Sequence, residues 1–217
     1  FTSVIPIDNP VKARTIYQDE CIRGDTTLES LGKLPASFES VGKAGADAVQ
    51  LAHYDHLQTI SHVHTAGNSP AMADAAALVL VGAASLGEKI SARPRAVIRA
   101  MVNASDDPLQ VLTGCVAATE KLLRSQKLSV DDIDLFEIHE AFAATVLKAR
   151  ADLGIPIEKL NVNGGVIAMG HPLGATGSIM VGMLLDEMER RDLTLGVVAT
   201  SGAAGLGTAI LIERLSS

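Results

Sequence analysis

The sequence predicts a layered α/β domain with a mixed sheet and helices, preceded by an irregular segment. From about residue 66 onward, strand-like stretches alternate with helix-like ones, and the chain closes with two successive strand candidates. Hydrophobic residues make up 47% of the 217 residues, but aromatic residues only 3%, and tryptophan is absent. A core of small and aliphatic side chains suits close packing of helices on a sheet.

The first predicted element of this domain is a helix at residues 71–84. This stretch is rich in alanine and carries Asp74 near its start, where an acid complements the helix dipole. The later helices, at 116–126, 141–153 and 178–190, alternate with strands at 95–101, 133–138, 195–200 and 208–213. The amphipathic helix 178–190 is expected to bury Ile179, Met183 and Met188.

Residues 1–64 show only short apolar pieces between charged connectors. They are interpreted as a lid, a loop domain or the remnant of a missing neighbour rather than an independent core. The predicted organisation is therefore two parts, 1–64 and 65–217. Because the chain begins at Phe1 rather than Met, we expect it to be a processed, truncated or cleaved product.

Charge and composition exclude several classes of function. The net charge is −7 and the basic residues are scattered, so no nucleic-acid surface is expected. Two cysteines are too few for a disulfide framework, which favours a reducing compartment such as the cytoplasm or, in a eukaryote, an organelle matrix. No apolar run approaches the ~20 residues needed to span a bilayer, and no signal-peptide pattern opens the chain.

Three loops carry residues suited to chemistry. His139 and Glu140 follow the strand 133–138, where a histidine can hold a water or move a proton; a polar pair that caps a helix is an equally good interpretation. His171 lies in the glycine-rich loop 161–177, whose backbone can approach a ligand closely; a tightly packed connector is the alternative. Ser201 opens the turn 201–207, which an ordinary hairpin would also explain, and whose glycine spacing is not a dinucleotide fingerprint.

These same stretches resemble the thiolase family over nearly the whole chain. The runs 161–165 and 170–177 look like the thiolase signature loop, and 137–143 looks like its Asn/His-Glu-Ala-Phe box. Residues 65–68 with Asp74 resemble the opening of its C-terminal domain, and 19–23 and 31–35 the end of its loop domain. The histidine form of the box is typical of the β-subunits of fatty-acid oxidation complexes, where β-oxidation proceeds.

The resemblance implies the C-terminal half of a 3-ketoacyl-CoA thiolase (acetyl-CoA acyltransferase), with coenzyme A as substrate and neither a cofactor nor a metal. A cysteine of the N-terminal half would take the acyl group, and coenzyme A or an acyl-CoA enolate would accept it. His171 would activate that cysteine, His139 would complete an oxyanion site through water, and the N–H of Ala203 would serve a second one. Substrate contacts would come from Asn68, Ser69, Phe142, Gly170 and Pro172. The expected partners are the N-terminal half, acyl-CoA, further copies in an oligomer and a fatty-acid oxidation complex.

The sequence departs from the family pattern at the acid/base position, where Ser201 replaces a cysteine. A hydroxyl is far less acidic than a thiol, so condensation is expected to be severely impaired and thiolysis is placed in doubt. The nucleophile is also absent, because Cys21 and Cys115 match no catalytic position and are predicted to be structural. We therefore expect the chain alone to be inactive.

A second departure is an apparent insertion between Phe38 and Thr65. It contains four histidines that could bind zinc, although no cysteine joins them and solvated or core histidines are the favoured interpretation: His53, His56, His62 and His64. The alternative function is a non-catalytic module that binds acyl-CoA or a partner protein, favoured by Ser201 and disfavoured by the presence of His139 and His171. A nucleotide-binding domain is disfavoured because no phosphate fingerprint follows a strand. One face of the domain should pack on the absent half and stay apolar and exposed without it.

Overall fold

The structure, a computed structural model, describes residues 3–215. Its largest element is a four-stranded sheet made of β3 (Ala96–Ser105), β4 (Leu135–Ile138), β5 (Leu195–Gly202) and β6 (Leu206–Arg214). The strand order is β3-β6-β5-β4, in which β4 and β5 run parallel and the other two pairs run antiparallel. This confirms the predicted α/β class with a mixed sheet.

Helices cover both faces of the sheet. On one face lie α5 (Gly114–Gln126) and α6 (Ala143–Leu153), and on the other lies α8 (Thr176–Arg191). Because side chains alternate along a strand, Val197 joins the core under α5 whereas Val198 joins the core under α8. The two faces therefore form two separate cores, which is the layered arrangement expected from the sequence.

Close approach of α8 to the sheet requires a glycine in β5. A Cβ added at Gly196 would lie 2.8 Å from a methyl of Leu184 and 2.8 Å from the sulfur of Met188. Both side chains are fully buried, and burial of each contributes about 1.5–3 kcal/mol to stability. Met183 is also buried as predicted, whereas Ile179 is only half-buried.

The first part of the chain is built from small elements. A hairpin of β1 (Ile7–Asn9) and β2 (Arg14–Ile16) precedes three short helices, α1 (Leu28–Gly32), α2 (Glu39–Val41) and α3 (Asp47–His53). None of these three helices buries a residue fully. The boundary at residue 64 stays a prediction.

The predicted helix at 71–84 is wrong. Residues 73–83 run without helix or strand pairing, and the helix that follows, α4, covers only Ala84–Lys89. Asp74 therefore does not lie near the start of a helix. The alanines favour a helix, but the continuous apolar run from Leu78 to Val81 includes two β-branched residues and lacks a helical period.

The glycine-rich loop also contains a short helix, α7 (Val166–Met169), which the sequence did not predict. No helix within residues 3–215 is long and apolar enough to cross a membrane.

Candidate active site

Two histidines that are distant in sequence meet at one edge of the sheet. His139 follows the last residue of β4, and His171 lies in the loop that leads into α8. Their ring centroids are 4.6 Å apart, and the rings are tilted by 48°. The structure thus brings together the two histidines that the sequence singled out.

His171 is held by backbone and side-chain contacts on both sides. Its N–H donates to the carbonyl of Ala71 at 2.7 Å, and its Nδ1 lies 2.7 Å from Oγ1 of the buried Thr176. Burial lowers the pKa of the ring below its ordinary value, so the imidazole is neutral near pH 7. Since Nδ1 is engaged, Nε2 is the nitrogen available to exchange a proton.

His139 is buried, with 7% of its surface exposed, and neither ring nitrogen makes a hydrogen bond of standard geometry within residues 3–215. Burial, followed by the neighbouring His171, lowers the pKa of His139 to about 4, and a weak hydrogen bond of the ring with the Ser201 backbone opposes this fall. A buried neutral imidazole with unpartnered nitrogens is uncommon in a structural role. The ring is therefore suited to bind a ligand or a water.

Ser201 lies near the end of β5, which is the strand paired with β4. It is buried, and its Oγ accepts a hydrogen bond from the N–H of Cys115, in the first turn of α5, at 3.0 Å. Burial raises the pKa of the Cys115 thiol, and a hydrogen bond with Ser201 partly offsets that rise. Full burial of Cys115 agrees with the structural role predicted for it, but the sequence did not indicate its contact with Ser201.

The turn after Ser201 is fixed by the loop before α5. Gly205 donates its N–H to the carbonyl of Val111 and accepts at its carbonyl from the N–H of Asp106. This position requires glycine for two reasons. Its φ is 77°, and an added Cβ would lie 2.3 Å from the carbonyl oxygen of Asp106. Ala203 is exposed at the top of this turn.

Glu140 ties the glycine-rich loop to the end of β4. Its carboxylate accepts a hydrogen bond at 3.1 Å from Nδ2 of Asn161 and another at 3.1 Å from the N–H of Ile167 in α7. The side chain of Asn161 also binds the backbone of Ile138. Its Oδ1 accepts from the Ile138 N–H and its Nδ2 donates to the Ile138 carbonyl, each at 2.8 Å. In the His139–Glu140 pair, the Glu140 carboxylate thus caps α7, whereas the His139 ring makes no hydrogen bond of standard geometry within residues 3–215.

The side chain of Asn68 makes its hydrogen bonds within its own turn. Its Oδ1 accepts from the N–H of Thr65 and its Nδ2 donates to the carbonyl of Val63, each at 2.8 Å. Its backbone carbonyl accepts from Ala143, next to Phe142. These contacts give Asn68 a structural role, and its assignment to substrate binding stays a prediction.

The assignment of four further residues to the substrate, Ser69, Phe142, Gly170 and Pro172, stays a prediction. Ser69 is half-buried next to Asn68, and Phe142 packs edge-on against His64 with centroids 4.7 Å apart. Gly170, with a φ of 92°, packs so closely on Ala73 that an added Cβ would lie 2.6 Å from it. Pro172 is half-buried directly after His171.

The four histidines between Phe38 and Thr65 do not converge. His62 lies 3.0 Å from a carboxylate oxygen of Asp47, and His64 packs against Phe142. His53 precedes Tyr54 and His56 follows it in the sequence, and each imidazole packs edge-on against the Tyr54 ring. In the part of the chain that the structure describes, no three potential ligands are grouped for a metal.

Residues 92–214 match the family described as thiolase, C-terminal domain. A 3-ketoacyl-CoA thiolase of Aeromonas hydrophila is 41% identical over 207 residues, which are 94% of this chain and 49% of that protein. An acetyl-CoA acetyltransferase of Allochromatium vinosum is 35% identical over 98% of this chain and 50% of its own length. The chain thus spans about half the length of the curated relatives it matches.

Solved structures give the same result. The human mitochondrial 3-ketoacyl-CoA thiolase in complex with CoA superposes with a TM-score of 0.78 and 32% identity, over 97% of this chain and 48% of that one. The acetyl-CoA acetyltransferase of Bacillus anthracis superposes with a TM-score of 0.81 and 30% identity, over 98% of this chain and 49% of that one.

Proposed function

This chain belongs to the thiolase family and corresponds to the C-terminal half of its members, and from that premise we propose that it supplies half of the active site of a 3-ketoacyl-CoA thiolase. The observation that carries the proposal is the 4.6 Å approach of His139 and His171 at one end of the sheet. The reaction would be thiolytic cleavage of a 3-ketoacyl-CoA or the reverse condensation, with coenzyme A as substrate.

Each histidine has a separate role in this proposal. Nε2 of the neutral His171 would take the proton of a cysteine thiol in the N-terminal half, and that thiolate would attack the 3-keto carbon. Together with His171, His139 would stabilise the charge that develops on the thioester oxygen, directly or through a water, with the hydrogen of its one protonated nitrogen. The low pKa values of both rings support these roles, because a neutral imidazole can both accept and donate.

The acetyl-CoA enolate released by carbon–carbon cleavage needs a proton, and we assign that donation to the Ser201 position. The serine hydroxyl is a weaker acid than the thiol expected in the family, so the step should be slow. Coenzyme A would then attack the acyl-enzyme, and the exposed N–H of Ala203 would stabilise the second oxyanion. The chain would be inactive alone, because the nucleophile would lie in the other half.

The segment 73–83, which has neither helix nor strand pairing, supports the need for an N-terminal half. The exposed fractions of Leu78 and Leu80 are 95% and 69%, and Val81 is also exposed. Within residues 3–215, the only sheet-type pairing nearby is a single bridge between Met72 and His171. Such an apolar run is covered in a stable protein, so we propose that the N-terminal half packs against it. Assembly into a larger oligomer or a fatty-acid oxidation complex, and a cytoplasmic location, stay predictions.

The test is a thiolysis assay on this chain combined with its N-terminal half. The assay follows coenzyme A-dependent loss of a 3-ketoacyl-CoA, and His171→Ala is expected to abolish it. Leu147→Ala, at an exposed position of α6, is the control and should retain activity. A His171→Ala variant with undiminished turnover would refute the proposal.

The second candidate is a non-catalytic module that binds acyl-CoA or a partner protein. Ser201 favours it, because the family's acid/base thiol is missing. Calorimetric binding of acyl-CoA by the assembled protein, together with no turnover and no gain from Ser201→Cys, would support this candidate over the thiolase.

A further inference from the structure

A small cavity lies beside His139, between β4, α7 and α8. Its volume is about 10 Å³, close to the minimum that one water requires. Glu137 and His139 line it together, along with Glu140, Val166 and Met180. Because Glu137 and His139 are two residues apart at the end of one strand, both side chains point to the α8 face of the sheet.

The surroundings of Glu137 disfavour a negative charge on its carboxyl group. It is 3% exposed, and no donor within residues 3–215 forms a hydrogen bond with its carboxyl group. Burial, followed by the charges of Glu140 and Glu187, raises its pKa to about 8. Near pH 7 its carboxyl therefore carries a proton and can donate a hydrogen bond.

The other acidic groups whose charges act on Glu137 are already engaged. The Glu140 carboxylate is bound by Asn161 and the Ile167 N–H, and the Glu187 carboxylate forms ion pairs with Arg190 and Arg191. None of these cations forms an ion pair with Glu137 within residues 3–215. The proton on Glu137 is thus a side-chain hydrogen-bond donor at this cavity that no other described group engages.

His139 needs such a donor. Its neutral ring has one nitrogen that carries hydrogen and one that accepts, and both are buried with no hydrogen bond of standard geometry within residues 3–215; the ring makes only a weak contact with the Ser201 backbone. Which nitrogen carries the hydrogen is set by the partner of the other one. A donor at the cavity would therefore leave the hydrogen on the nitrogen that faces away from it.

We propose that Glu137 is a positioning residue for His139, which donates its carboxyl hydrogen through one water in this cavity to the acceptor nitrogen of the ring. The other nitrogen then keeps its hydrogen and presents it to the ligand beside His171. The proposal rests on the function inferred above for His139 and extends it to the residue that selects its tautomer.

Glu137→Gln and Glu137→Met, made in the chain combined with its N-terminal half, test this role. Gln still donates a hydrogen bond but cannot ionise, so His139 should keep its tautomer and kcat should stay within about twofold at pH 7. Met cannot donate, so the tautomer should become mixed and kcat should fall about ten- to a hundredfold with little change in KM. The tautomer is read from ¹⁵N shifts of the His139 ring, with His139→Asn to assign the signals.

The pH dependence of thiolysis activity provides an independent test. The parent should lose activity as pH rises through about 8, when Glu137 ionises and stops donating, whereas Glu137→Gln should not show this loss. The proposal would be overturned if the His139 tautomer were the same in the parent, in Glu137→Met and above pH 8. If Glu137→Met does not fold, the proposal would be overturned by a loss of activity above pH 8 that is the same in Glu137→Gln as in the parent. If the assembled protein shows no thiolysis at all, the proposed function fails, while the ring shifts still decide the role of Glu137.

Discussion

At the scale of single residues, the orientation of His171 depends on Thr176. Nδ1 of His171 lies 2.7 Å from Oγ1 of Thr176, which is 2% exposed. Thr176→Val keeps the side-chain shape and removes the hydroxyl, so we predict a fall in kcat of about ten- to a hundredfold. Thr176→Ser keeps the hydroxyl and should stay close to the parent. Unchanged turnover in Thr176→Val would show that the contact does not orient the ring.

Ser201 is the residue at which activity should be gained. Ser201→Cys supplies a thiol at the acid/base position, and the rate of thiolysis should rise at least about tenfold. The new thiol would lie beside Cys115, whose N–H is 3.0 Å from the present hydroxyl. The variant is therefore best measured in reducing buffer, and also with Cys115→Ala. No gain in either background would contradict the role assigned to position 201.

Sequence reasoning found His139, His171 and Ser201 but not the residues that support them. Thr176 is part of the loop 170–177 that resembles the thiolase signature, yet nothing in a sequence shows that its hydroxyl contacts the ring of His171. Cys115 is 86 residues from Ser201, and their contact depends on how α5 packs over β5. Long-range contacts of this kind follow from the packed fold and not from local pattern.

At the scale of elements, the glycine-rich loop depends on Gly165 for a steric reason. Gly165 has a φ of −161°, which any residue can adopt, but an added Cβ would lie 2.6 Å from the Glu140 carboxyl carbon. Glu140 cannot move without losing its bonds to Asn161 and Ile167. Gly165→Ala should therefore lower the free energy of unfolding by about 1–3 kcal/mol.

The matched control for that prediction is Gly174→Ala in the same loop. A Cβ at Gly174 meets no atom within 4 Å, so the change should stay within about 0.5 kcal/mol. Urea unfolding of both variants measures the difference. Equal stabilities would show that the loop is not fixed by the Glu140 contact.

Local pattern predicted the sheet and its helices well because each element carries its own period. The terminal strands alternate toward two cores, and α8 has one buried stripe, so their signals are local. Residues 73–83 were misassigned to a helix because alanine propensity outweighed the run from Leu78 to Val81. No strand within residues 3–215 pairs with that run, so nothing in the chain itself could correct the assignment.

At the scale of the whole molecule, this apolar segment should control association. We predict that the chain prepared without an N-terminal half self-associates, and that Leu78→Lys with Leu80→Lys increases the monomer fraction in light scattering. Leu147→Lys, at a position on α6 that is 60% exposed, is the control and should have no such effect. A monodisperse monomer of the unmodified chain would contradict the prediction.

The central claim is that this chain provides the histidines and another half provides the nucleophile. Mass spectrometry of the protein assembled from both halves, quenched during turnover of a 3-ketoacyl-CoA, tests it most directly. We expect an acyl group on a cysteine outside residues 1–217, and we expect His171→Ala to prevent it from forming. An acyl group on Cys21 or Cys115, or a covalent intermediate that forms equally well without His171, would contradict it.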